Sequence, residues 1–125
     1  MEQSKKPAHY KDLIVWQKAM LLAKNIYDLT GRFPAAERFG LISQMRRAAV
    51  SVPSNIAEGQ ARRTTGEFVQ FLSNAAGSLA ELETQLLLSV DLSFSSKDAT
   101  DGLLGLVSEI RRMLIALGKR LDTGH

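Results

Sequence analysis

The chain has 125 residues, a length that fills one domain and encloses a hydrophobic core without disulfides or metal. It contains no cysteine, which excludes a disulfide framework, a thiolate metal site and a thiol nucleophile and fits a reducing compartment. The net charge of +3 is mild but unevenly spread, residues 35–63 carrying +3 and residues 64–93 carrying −4.

The first periodic stretch places Leu13, Trp16, Met20, Ala23, Tyr27 and Thr30 in a three-four alternation, the signature of one apolar helical stripe. It predicts a helix over residues 12–31, with Asp12 as N-cap and Gly31 and Pro34 as stop signals, glycine through a left-handed turn. A second helix is expected over residues 35–61, opened by Pro34 and Glu37, with Leu41, Met45, Ala48, Val52, Ile56 and Ala57 as its core positions. Pro53 falls inside that pattern and predicts a kink, because proline removes a backbone donor and crowds the preceding turn. Ser51, Ser54 and Asn55 around it lack a histidine base, so their expected role is to satisfy backbone groups freed by the kink.

Thr64 and Glu67 have the spacing of a capping box and start a third helix over residues 65–92, with Phe68, Leu72, Ala75, Leu79, Leu82 and Leu86 as its stripe. After Ser93-Phe94-Ser95-Ser96, a fourth helix over residues 97–121 carries Leu103, Val107, Ile110, Leu114, Leu117 and Leu121. Four long helices joined by short connections predict an all-α, single-domain protein spanning residues 1–125, an antiparallel up-down-up-down four-helix bundle.

Apolar positions on the first and third helices exceed one stripe. Ile14, Leu21 and Leu22 with Ile26 and Leu29 on the first, and Phe71 and Leu87 with Leu88 on the third, either form a self-association interface or belong to unusually well-buried helices. Small residues cluster at Ala48-Ala49 and at Ala75-Ala76-Gly77-Ser78; the expected reason is a close helix crossing, the alternative a groove for a ligand or partner.

Candidates for chemistry are few. His9 and His125 lie near the ends, Glu81 and Glu83 point in different directions on a helix, and no metal-ligand spacing or phosphate loop is present. No enzymatic activity, cofactor or metal is therefore expected. The stronger signal is cationic: three arginine doublets, Arg46-Arg47, Arg62-Arg63 and Arg111-Arg112, whose planar forks match phosphate geometry. Adjacent helical residues diverge by about 100°. Each doublet is thus expected to send one side chain to solvent and one toward a neighbour such as Glu58, Glu81 or Glu83, and phosphate binding and internal ion pairing stay open as alternatives. Met1–Pro7 holds no apolar signal core and no stretch reaches the roughly 20 apolar residues of a membrane span, so a cytoplasmic protein without membrane contact is expected.

Read as strings, Val15-Trp16-Gln17-Lys18-Ala19-Met20 and Phe33-Pro34-Ala35-Ala36-Glu37-Arg38-Phe39-Gly40-Leu41 resemble the opening of the bacterial 23S rRNA intervening-sequence proteins. The run from Gln44 to Gly59, QMRRAAVSVPSNIAEG, resembles that family's central signature, and Glu67-Phe68, Phe71-Leu72 and Gly77-Ser78-Leu79-Ala80-Glu81-Leu82-Glu83 its third-helix motif. The resemblance spans Tyr10 to Leu121. It implies a left-handed antiparallel bundle that assembles into a ring-like homo-oligomer, a pentamer, without enzymatic activity. Some members are encoded within large-subunit rRNA genes and many elsewhere. The chain is also distantly similar to the accessory variability proteins of diversity-generating retroelements, basic pentameric bundles that bind nucleic acid and a reverse transcriptase. The partners expected are therefore further copies of the chain, RNA or DNA backbone held by Arg46, Arg47, Arg62 and Arg63 with Arg111 and Arg112, or alternatively a protein seated in an apolar groove.

Overall fold

The computed structural model describes residues 9–123; the Met1–Pro7 segment and His125 lie outside the described residues. Four helices follow one another: α1 (Ile14–Thr30), α2 (Leu41–Gln60), α3 (Thr65–Asp91) and α4 (Lys97–Thr123). Among the described residues there is no strand.

Local chemistry sets the ends. A 3-10 turn at Tyr10–Asp12 precedes α1 and places Asp12 too early to cap it; the N-cap is Leu13, whose side chain makes no cap bond. Gly31 is right-handed at φ −63°, not left-handed, because the chain tightens into successive turns in which Arg32 N–H meets Leu29 O and Phe33 N–H meets Thr30 O at 3.1 Å. The second segment is split: Pro34 precedes a 3-10 turn at Ala35–Glu37, and α2 begins only at Leu41, whose N–H donates to Glu37 Oε1 at 3.1 Å. α2 then continues through Pro53 to Gln60 without interruption.

The capping box forms at the head of α3, Glu67 N–H donating to Thr64 Oγ1 at 3.1 Å and Thr64 N–H to Glu67 Oε1 at 3.4 Å. Between α3 and α4, Ser93 takes a left-handed φ of 64°, which turns Phe94 N–H and Ser95 N–H back onto Ser89 O. Ser96 Oγ accepts from Ala99 N–H at 3.0 Å and closes the first turn of α4.

Each helix packs on two others, α1 on α2 and α4, and α3 on α2 and α4, while the backbones of the diagonal pairs stay farther apart. α2 and α3 run in opposite directions: Gly59 meets Phe68 and Phe71 beside their connection, and Ser51 meets Ser78 farther from it. The stripes expected on α3 and α4 are buried, as are Leu41, Met45, Ala48, Val52 and Ile56 on α2; Ala57 is half-buried.

On α1 the buried face differs from the expected one. Val15, Ala19, Leu22, Ala23, Ile26 and Leu29 enter the core, whereas Met20 and Tyr27 are exposed. The helix carries two apolar stripes one residue apart, about 100° of rotation, and the second faces α2 and α4. Leu22, read as an interface candidate, is fully buried, while Ile14, Leu21 and Leu87 are about half exposed.

At the small-residue clusters Ala48, Ala49 and Ala75 are buried, as a helix crossing requires, but Gly77 takes no part in it. A Cβ on Gly77 would stand in open space, so this glycine marks no close crossing. The close approach lies at Gly59, where a Cβ would fall 2.7 Å from Phe71 Cβ and 2.9 Å from Phe68 Cδ1. Ser51 and Ser78 do meet, Oγ to Oγ at 2.8 Å. Asn55 Nδ2 donates to Ser51 O and Ser51 Oγ rather than to the Ala49 carbonyl, the group that the missing Pro53 N–H would have met, and Ser54 is exposed.

Candidate functional site

The three arginine doublets do not form one surface. Arg46 and Arg47 sit in the first half of α2, Arg62 and Arg63 in the α2–α3 connection, and Arg111 and Arg112 on α4, which is diagonal to α2.

Within each doublet the two side chains do different work. Arg46 is half-buried and ties α2 to the end of α1. Its Nε donates to Thr30 Oγ1 at 2.9 Å, a terminal nitrogen donates to Tyr27 O at 3.3 Å, and its guanidinium carbon lies 4.4 Å from the centre of the Tyr27 ring. Thr30 is itself buried and donates to Ile26 O at 2.7 Å, so the cation closes a chain of hydrogen bonds at the last turn of α1, where Tyr27 O also accepts from Gly31 N–H at 3.0 Å. Arg62 pairs with Glu58 at 2.7 Å and covers the half-buried Phe71 ring from 4.8 Å. Arg111 pairs with Glu83 at 2.6 Å across α3 and α4. Arg47 and Arg63 are exposed and make no ion pair or side-chain hydrogen bond among the described residues; Arg112 is exposed and bonds only Ser108 Oγ, one turn back on α4.

The α1–α2 face holds two open grooves. One groove of about 630 Å³ is lined by Tyr27, Arg38, Phe39, Ile42, Ser43, Arg46, Arg47, Val50 and Ser51. A second, of about 520 Å³, is lined by Tyr10, Trp16, Met20, Ala23, Lys24, Tyr27, Val50, Pro53, Ser54 and Ala57. They meet at Tyr27 and Val50 and so make one path along the two helices. Its walls carry Lys24, Arg38, Arg46 and Arg47 and no carboxylate; Glu37, next to Arg38 in sequence, has one carboxylate oxygen engaged by Leu41 N–H. Lys24 and Arg38 are exposed and, like Arg47, unpaired among the described residues.

Aromatic rings follow the same path. His9 stacks on Tyr10 at 4.5 Å, Tyr10 meets Trp16 edge-on at 5.2 Å, Tyr27 stands midway, and Phe39 lies at the far end, 89% exposed. Lys24, Tyr27, Arg38 and Phe39 line the grooves although neither helical periodicity nor the arginine doublets single them out as site residues. The available signal was the Arg38-Phe39 pair, a cation beside a large ring in a turn that neither helical stripe requires.

On the other flank of α2, a polar hollow of about 340 Å³ is lined by Gln44, Arg47, Ala48, Ser51, Ser78 and Glu81. Arg47 and Ser51 border both this hollow and the first groove. Gln85, buried on α3, donates to Glu81 Oε2 at 3.4 Å, and its own Oε1 has no partner among the described residues. No group of three or more His, Asp or Glu side chains that could hold a metal ion occurs among the described residues, and no described helix is long and apolar enough to cross a membrane.

The fold and this surface define a helical bundle with an open, cation-lined groove. The chain belongs to the 23S rRNA-intervening sequence protein family, whose model matches residues 11–116. Among solved structures it is similar to a protein of unknown function from the S23 ribosomal protein family of Bacteroides thetaiotaomicron VPI-5482. That likeness has a TM-score of 0.77 at 22% identity, covers 85% of this chain and 99% of the other, and shows the fold. No curated protein matches the chain.

Proposed function

We propose that this protein is a non-enzymatic, cytoplasmic, homo-oligomeric bundle that binds the backbone of RNA or DNA along the α1–α2 face. The observation that carries the reading is the groove wall with four cations and no carboxylate, three of those cations unpaired. Such a wall attracts a polyanion and releases condensed counterions from it. Assembly strengthens this: a ring of five, the number the family resemblance implies, would carry +15, five times the +3 of one chain. Ile14, Leu21 and Leu87, apolar and about half exposed, are the residues proposed for contact between copies.

Among the arginines named from the sequence, Arg47 is the proposed phosphate contact on this face; Arg63 and Arg112, exposed on other surfaces, lie outside the groove. Arg46, Arg62 and Arg111 serve the bundle first. Solution mass by light scattering, with and without a mixed RNA and DNA pool at rising salt, tests the proposal. A multimer should gain mass at low salt and lose it with a log-log slope of about 0.9 per duplex phosphate neutralised.

The second reading, a scaffold that recruits a protein, is favoured by the apolar walls that Trp16, Met20, Val50 and Pro53 give the lower groove. Binding there would be nearly indifferent to salt.

A further inference from the structure

We propose that the α1–α2 groove is built for a single strand, with an unpaired base stacked on Phe39. The inference rests on the nucleic-acid reading above and narrows it to one substrate class.

Phe39 is the observation that requires an explanation. It is a large apolar ring, 89% exposed, in the turn between Glu37 and Leu41, and it contributes nothing to the core. Isolated exposed apolar residues are ordinary, but this one lines a groove whose other contributors include Arg38 and Arg47, both unpaired among the described residues. Further along, the guanidinium carbon of Arg46 sits 4.4 Å from the centre of the Tyr27 ring and the group is held there by Thr30 and the Tyr27 carbonyl, so a cation is fixed where the two grooves adjoin.

An exposed ring beside unpaired cations matches the two needs of a single strand, a face for each base and positive charge for the backbone. A duplex can use only the second. Its bases are already stacked on one another, and bringing one onto Phe39 would require breaking its pair and its stack. The ring therefore adds affinity for unpaired bases alone. Charge decides the occupant: a second copy or another protein would gain from Phe39 but would have to match a wall without carboxylates, whereas a polyanion matches it throughout.

The test is fluorescence anisotropy with the full chain at fixed low salt, using a labelled mixed-sequence single strand of roughly 15 nucleotides and the same sequence as a duplex. Wild type should prefer the single strand. Phe39→Ala should weaken single-strand binding about 5- to 100-fold and leave duplex binding unchanged. Phe39→Trp should keep the affinity, and its added fluorescence should be quenched by the single strand. Circular dichroism of both variants confirms folding, which an exposed ring does not control.

Equal effects of Phe39→Ala on single strand and duplex, or none on either, overturn the single-strand inference while leaving backbone binding intact. A smaller solution mass for Phe39→Ala without nucleic acid assigns the ring to a contact between copies and also overturns it. Absence of binding to either probe at low salt overturns the nucleic-acid reading itself.

Discussion

Gly59 lies so close to Phe71 that a methyl group built on the glycine would stand 2.7 Å from the phenylalanine Cβ, nearer than two carbon side chains ever settle. The same methyl would meet the Phe68 carbonyl oxygen at 3.3 Å, so backbone crowds it as well. The α2–α3 crossing thus depends on the absence of one Cβ, whereas Gly77 on α3 has nothing within 4 Å.

Gly59→Ala should therefore destabilise the protein by about 1–3 kcal/mol, the range for forcing atoms into a packed core. Gly77→Ala should raise stability by about 1 kcal/mol, since alanine is the better helix former and meets no neighbour. Urea midpoints at constant slope measure both, and equal shifts of one sign would contradict the packing.

Leu22 is fully buried and its sequence neighbour Leu21 is half exposed. Leu22→Ala should cost about 2–5 kcal/mol through a cavity that the surrounding helices fill only in part. Leu21→Ala should change monomer stability by less than about 0.5 kcal/mol. If Leu21 is a contact between copies, as proposed, its loss lowers the mass seen by light scattering without lowering helicity.

Arg46 and Arg47 separate structure from binding. Arg46→Ala removes the donor to the buried Thr30 hydroxyl and a second donor to Tyr27 O, and should cost about 1–2 kcal/mol. Arg47→Ala removes an exposed, unpaired cation and should leave stability within about 0.5 kcal/mol while reducing the salt slope of nucleic-acid binding by about 1. Thermal melts and salt titrations of the two variants side by side check this division.

The Arg111–Glu83 pair joins α4 to α3 at 2.6 Å, with the two side chains 33% and 41% exposed. Water reaches both, so a double-mutant cycle with Arg111→Ala and Glu83→Ala should return a coupling of only about 0.5 kcal/mol, falling as salt rises. A coupling of several kcal/mol would mean that the pair is effectively sealed from solvent.

Some of this was legible in the residues alone. The four-helix, all-α class followed from the three-four spacing, because α2 and α4 each have one dominant apolar stripe and α3 keeps the same rhythm although Phe71, Leu87 and Leu88 widen its apolar surface. The capping box at Thr64 and Glu67 was equally local, its bonds spanning three residues. The split of the Arg46-Arg47 and Arg111-Arg112 doublets into one engaged and one exposed side chain followed from helix geometry, although the partners did not: Arg46 turned to carbonyl and hydroxyl oxygens on α1 rather than to a carboxylate, and Arg62-Arg63 lies in a connection where helix geometry does not apply.

What tertiary structure alone decided is whatever depends on one helix meeting another. α1 carries two apolar stripes offset by one residue, and its sequence is content with either; burial of Leu22 and exposure of Met20 follow from the positions of α2 and α4. Gly59 and Gly77 are the same residue type in the same kind of helix, and only the approach of α3 makes the first indispensable. The groove that gathers Lys24, Arg38, Arg47 and Phe39 exists because α1 and α2 lie side by side, bringing together residues that the chain keeps apart. Periodicity is a property of one segment and fixes its class; the choice of face, the tight crossing and the site are properties of pairs of segments, and appear only when the bundle closes.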